Sequence, residues 1–109
     1  MKIKTQEVPA SGRRFSVDKN GKEVAHTYLY IMANGLHERP FGLMEDLFVD
    51  ENYRGRGIAG SLINRVIDEA RRQNCYKLIC TSRHGNEIVH KLYEKKGFGK
   101  HGIEFRMNF

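Results

Sequence analysis

Arg54-Gly55-Arg56-Gly57-Ile58-Ala59-Gly60-Ser61 sets three glycines and two arginines within eight residues. Glycines this closely spaced let backbone N–H groups turn toward one point with no Cβ in the way. Where a helix follows, the positive end of its dipole adds to them. Such a loop holds phosphate, and Arg54 and Arg56 add charge at its rim. Gly55, Gly57 and Gly60 also spell GxGxxG, but a nicotinamide dinucleotide needs an acid about 20 residues on, at the end of the next strand. The stretch from Lys77 to Ser82 offers none.

Glu45 and Asp46 interrupt the otherwise apolar run Phe41 to Val49, where carboxylates are unusual. Alternation counted back from Val49 puts Glu45 on the face of Leu47 and Leu43, with Asp46 pointing the other way. Cys75 and Cys80 form neither a CxxC nor a Cys/His metal spacing, and no base is spaced to activate Cys80. Both read as thiols of a reducing, cytoplasmic compartment. His26, His37, His84, His90 and His101 lack metal-ligand spacing, read as surface or hydrogen-bonded residues, and imply no metal.

The elements that must position these groups follow from periodicity. Lys2 to Val8 alternates weakly as one strand, stopped by Pro9 and Gly12. Arg13 to Asp18 and Val24 to Met32 form a hairpin around Asn20-Gly21, a pair that tolerates the positive φ of a tight turn. The return strand carries His26, Tyr28 and Tyr30 on one face and Ala25, Thr27, Leu29 and Ile31 on the other, so both faces read as covered. Ile58, Ala59, Leu62, Ile63, Val66, Ile67 and Ala70 recur at helical spacing opposite Asn64, Arg65, Asp68, Glu69, Arg71 and Arg72. Leu78 to Thr81 is a short strand. A second helix spans Glu87 to Lys96, with Asn86 as N-cap and Gly97 as C′, and Ile103 to Phe109 closes as a strand. The fold class is α/β (α+β): a mixed sheet of N-terminal hairpin strands, then strand, helix, strand, helix, strand.

A chain of 109 residues is one domain, and 39% hydrophobic with 29% charged residues is a globular balance. The N-terminus has no apolar leader, and no window reaches the ~18 apolar residues of a membrane helix, so neither export nor a membrane is expected. A net charge of +6 favours an anionic partner. Arg65, Arg71, Arg72, Lys91, Lys95, Lys96 and Lys100 read as solvated helix faces that attract a polyanion. The aromatic interleaving of an RNA-binding sheet is absent, so nucleic acid is not the expected partner.

Arg54-x-x-Gly57-x-Ala59 resembles the R/Q-x-x-G-x-G/A signature of the GNAT superfamily of N-acetyltransferases. The strand ending Leu47-Phe48-Val49 precedes it, and Asn86 and Tyr93-Glu94-Lys95-Lys96-Gly97-Phe98, similar to the superfamily's Y-E-x-x-G-F, follow in order. The resemblance covers roughly residues 42–98. Met44 to Leu47, Cys75 to Lys77 and Ile103 to Phe109 look most like the glucosamine 6-phosphate N-acetyltransferases. The chain departs from them in having Asn108 before its last Phe, with Arg106 two places earlier. It also leaves no room between Pro9 and Gly12 for the usual N-terminal helix pair.

The resemblance implies acetyl-CoA as co-substrate, its pyrophosphate on Arg54 to Ser61, and its pantetheine arm on the backbone of Phe48 and Val49 and on Asn86. It also implies transfer of acetyl to a primary amine. At pH 7 only about 1 in 2,500 of a lysine-like amine is neutral, so a base must take the proton. Glu45, directly or through water, is the candidate. The departing thiolate needs an acid, and Tyr93 is the candidate, since phenol and thiol have neighbouring pKa values. The acceptor stays open among sugar, protein, peptide and polyamine amines, with its side open or completed by a second subunit of a homodimer. Two other functions remain: a non-catalytic acyl-CoA-binding or regulatory module and a small basic nucleic-acid-binding domain.

Overall fold

Asn20 and Gly21 have φ of 54° and 77°, the left-handed pair a two-residue hairpin turn requires. They join β1 (Ala10–Lys19) to β2 (Lys22–Met32). In the computed structural model, which describes residues 1–109, β3 (Phe41–Val49) pairs antiparallel with β2, and β4 (Leu78–Ile79) pairs parallel with Gly42 and Leu43. The sheet runs β1-β2-β3-β4. Helix α1 (Ile58–Arg72) crosses from β3 to β4 and presses the stripe read from the sequence onto one sheet face. There Ile63, Val66 and Ala70 meet Leu29, Ile31 and Met44, while Ile58 and Leu62 meet Val24 and Ala25. Helix α2 (Glu87–Lys95) buries no residue fully, but Leu92, Tyr93 and the following Phe98 pack onto the first of these clusters.

Only that face is covered. Ala25, Thr27, Leu29 and Ile31 are buried, as alternation requires, whereas His26 and Tyr28 are half-buried and Tyr30 is exposed. No element lies over them, which corrects the expectation that both faces of β2 are covered. The terminal strands are corrected too. Residues 1–9 and 100–109 have no regular structure, and Ile103, Phe105, Met107 and Phe109 are 68 to 113% exposed. A strand needs a ladder, and β4, only two residues long, offers almost none. These tails give a radius of gyration of 15.9 Å, against about 13 Å for a compact chain of this size.

A bulge in β3 rearranges the two acids. Tyr28 pairs with Glu45 and His26 with Phe48, so Thr27 alone opposes both Asp46 and Leu47. Asp46 absorbs the extra residue at φ 53°, a conformation that Asp tolerates better than most side chains. The Thr27 hydroxyl donates to the Glu45 carbonyl at 3.1 Å and holds the step in place. Leu47 therefore turns into the core, and Glu45 and Asp46 share the uncovered face with His26 and Tyr28. Strict alternation, which parts the two acids and keeps Glu45 with Leu47, does not survive the inserted residue.

Glu69 departs from its helix-wheel position on the solvent side. Its carboxylate is 1% exposed and accepts from Arg65 at 3.1 Å, Gln73 at 2.9 Å and Arg72, with Arg13 of β1 at 3.5 Å. Those hydrogen bonds, from Gln73 first and then Arg72, hold it down at about 2. A depressed carboxylate stabilises the fold fully above its unfolded pKa, about 4.3, and that contribution is lost as pH falls toward 2. Glu69→Gln is expected to lower the urea midpoint at pH 7 and to flatten its fall between pH 4.5 and 2. Parallel midpoint curves for the two proteins across that window would remove Glu69 as the source.

Candidate active site

Beyond Val49 the chain makes a single 3-10 turn, Glu51–Tyr53, capped by Asp50, whose Oδ1 accepts from the Asn52 N–H at 2.9 Å. Gly55 and Gly57 then take φ of 76° and 81°. Gly57 is the N-cap of α1 and brings no side chain to satisfy the first turn, whose first backbone bond runs from the Ser61 N–H to the Gly57 carbonyl at 3.0 Å. The N–H groups of Ile58, Ala59 and Gly60 thus have no acceptor in the chain. Nothing lies within 4 Å of where a Cβ on Gly55 or Gly57 would stand, so the space in front of these donors is open. Free donors at a positive helix end, facing empty space, fit an oxyanion such as a diphosphate.

Three cations rim the loop. Arg54 is aimed by its Nε–H, which donates to the Val49 carbonyl at 2.9 Å. Arg56 lies over the Tyr53 ring at 5.1 Å. Lys96, expected on a solvated helix face, instead reaches across α1, its Nζ 3.4 Å from the Cβ position of Gly60. Nothing local in the sequence marks Lys96 for this loop, because only the folding of the chain after α2 back toward α1 brings it there. Ser61 is exposed in the first turn of α1.

The loop opens beside a split in the sheet. β4 leaves β3 after Leu43, whereas β3 continues to Val49, so the β4-facing edge of β3 from Met44 onward has no strand partner. Phe48, 46% exposed, stands there and stacks on His26 at 5.4 Å. The Val49 carbonyl is engaged by Arg54, which narrows what that residue's backbone can offer a ligand. Asn86 caps α2, its Oδ1 accepting from the Val89 N–H at 3.3 Å, and its amide nitrogen has no acceptor.

Tyr93 is half-buried against Phe98, with ring centroids 5.6 Å apart, and packs onto the same core cluster as Cys80. Burial pushes the Tyr93 phenol up to about 12 and the Cys80 thiol up to about 11. Tyr93 therefore carries its proton at every ordinary pH, and Cys80 is held as a thiol, the wrong state for a nucleophile. On the uncovered face Glu45 is exposed beside Tyr28, and Asp46 Oδ2 lies 2.8 Å from His26 Nε2. His26 belongs to this cluster, and no local spacing reveals it, because its partner sits on the neighbouring strand at the bulge.

Residues 3–98 match the model of the acetyltransferase (GNAT) family. The chain is 37% identical over 70 residues to a glucosamine 6-phosphate N-acetyltransferase of Trypanosoma brucei brucei, covering 64% of this chain and 46% of that one. It is 35% identical over 57 residues to N-alpha-acetyltransferase 30 of Saccharomyces cerevisiae, covering 52% and 32%. It thus spans less than half the length of these curated relatives. Among solved structures, a putative acetyltransferase from Agrobacterium tumefaciens superposes with a TM-score of 0.84 at 30% identity, over 90% of this chain and 69% of that one. The Arabidopsis thaliana glucosamine-6-phosphate N-acetyltransferase shares the fold, with a TM-score of 0.82 at 24% identity over 90% and 67%. With a helix start whose first N–H groups are unpaired, a split sheet beside it and a family match over residues 3–98, the chain belongs to the acetyltransferase (GNAT) family.

Proposed function

We propose that the protein is an acetyl-CoA-dependent N-acetyltransferase that passes the acetyl group directly to a primary amine in a ternary complex. The observation that carries this reading is the set of unpaired N–H groups at Ile58, Ala59 and Gly60, opening beside the unpartnered edge of β3. Acetyl-CoA, when bound, supplies the diphosphate for that mouth and the thioester carbonyl to be attacked. Arg54, Arg56 and Lys96 neutralise the phosphates, Ser61 adds a hydroxyl, and the backbone at Phe48 and Val49, with the Asn86 amide, steadies the arm. Glu45, exposed at the bulge, draws the amine's proton away directly or through water. Tyr93 holds a proton ready for the departing sulfur.

The acceptor is proposed only as a primary amine. Glu45 and Asp46 stand on the open face, and its one arginine, Arg14, is already clamped by Glu23 at 2.6 and 2.7 Å. That arrangement supports a cationic amine over a phosphosugar. The uncovered Tyr28 and Tyr30 support completion of the acceptor side by a second subunit, which light scattering would read as a dimer. No helix is long and apolar enough to cross a membrane, and the two free thiols support a reducing cytoplasm.

The deciding experiment pairs calorimetric titration of acetyl-CoA with a thiol-release assay over a panel of amines. Binding and amine-dependent thiol release are expected together. Binding without release on any amine or protein acceptor would leave an acyl-CoA-binding module instead.

A further inference from the structure

We propose that His26, oriented by Asp46, is the group that finally holds the proton lost by the attacking amine. This rests on the N-acetyltransferase reading and names a residue within it. The imidazole is 18% exposed and fixed on three sides: it stacks on Phe48 at 5.4 Å, meets the Tyr28 ring edge-on at 5.9 Å, and bonds Asp46 Oδ2 through Nε2 at 2.8 Å. A carboxylate accepts only, so Nε2 carries the hydrogen and Nδ1 keeps its lone pair. Glu23 Oε2 waits 3.7 Å from Nδ1. A proton arriving on Nδ1 therefore makes an imidazolium between two carboxylates, and the ring needs no rotation to receive it.

The bulge makes this assembly. Without the residue inserted at Asp46, strict alternation would turn the Asp46 carboxylate away from the face that holds His26. Asp46 holds a left-handed conformation to make the contact, and strained residues of this kind concentrate where function requires them. Glu45, next along the strand and opposite Tyr28, lies one diagonal position from His26 on the open face. The chemistry also favours the ring. An ordinary carboxylate lies about six pKa units below an alkylammonium and an ordinary imidazole about four, so imidazole is the stronger base of the two.

In the step proposed, the amine nitrogen bonds to the carbonyl carbon as the carbon–sulfur bond breaks. Tyr93 gives its proton to the sulfur. The nitrogen's surplus proton passes by Glu45 and water to His26 Nδ1 and returns through solvent to Tyr93. The charged or titratable groups facing His26 are Glu23 and Tyr28 of β2, Asp46 and Glu45 of β3, and Arg14 of β1, which acts through its bidentate grip on Glu23.

The test measures kcat/KM against pH for wild type, His26→Gln, His26→Ala and Asp46→Asn, with acetyl-CoA affinity and melting temperature recorded for each. Wild type is expected to show an acid limb, because a protonated ring cannot accept. His26→Gln should lose that limb and about 10- to 30-fold in rate at pH 7 while binding acetyl-CoA as before, and imidazole should restore part of the rate of His26→Ala. Asp46→Asn keeps an oxygen that can accept from Nε2 but changes how firmly the ring is held, so it should lower kcat while leaving the KM for acetyl-CoA unchanged, a split that a merely structural role would not produce. A wild-type limb in His26→Gln, or wild-type kcat in Asp46→Asn, overturns the assignment while leaving the acetyltransferase reading intact. Absence of turnover by wild type on every amine overturns both.

Discussion

Gly57→Val is expected to weaken acetyl-CoA binding at least about 100-fold, about 2.8 kcal/mol. Gly57 sits at φ 81° as the N-cap of α1, and valine, branched at Cβ, disfavours that region strongly. Two routes lead to the same loss. If the backbone keeps its shape, the isopropyl group fills the empty space in front of the Ile58, Ala59 and Gly60 donors, where now nothing lies within 4 Å of the Cβ position. If the backbone relaxes, the donors no longer converge, and each hydrogen bond to a charged oxygen is worth about 1.5–3 kcal/mol. The loop is exposed and the helix stripe below it is untouched, so folding should survive. Calorimetric titration with a melting curve separates the effects. A folded Gly57→Val that binds within threefold of wild type would show that the helix mouth is not the coenzyme's anchor.

The same loop shows how far the residues alone could be read. Gly55 and Gly57 announce their role because positive φ is a local demand, and Asn20-Gly21 fixes its hairpin for the same reason. The α1 stripe was legible because one turn after another repeats it, and Ile63 and Val66 are indeed fully buried. What escaped were features created by one element meeting another. The bulge at Asp46 leaves no mark in an alternation pattern, since an inserted residue looks like any other until its partner strand is known. Lys96 reaches Gly60, and Arg13 reaches Glu69, only once the chain is packed. His26 was one histidine among five until the bulge swung a carboxylate to it. The closing alternation Ile103, Phe105, Met107, Phe109 has a strand's period but no neighbour to pair with.

Tyr93→Phe is expected to lower kcat by about 10²- to 10³-fold, within the range for removing a positioned proton donor, and to leave acetyl-CoA affinity unchanged. The ring keeps its contact with Phe98, and the hydroxyl makes no hydrogen bond in the chain, so its removal should leave the melting temperature in place or raise it slightly. Structure and chemistry are thereby separated in a single variant. The direction of the Tyr93 shift adds a second readout. A phenol pushed up to about 12 stays protonated through the assay range, so any alkaline limb in wild-type kcat below about pH 11 must come from another group. That limb should persist in Tyr93→Phe at reduced amplitude. Wild-type kcat in Tyr93→Phe would remove the phenol from the reaction and leave the departing sulfur to be protonated by water. The acid side tells the opposite story, because there the rate is governed by the group that accepts the amine's proton. A variant series in which Tyr93 sets the height of the profile and His26 its acid edge would place donor and acceptor on opposite sides of β3, the donor on the helix-covered face and the acceptor at the bulge.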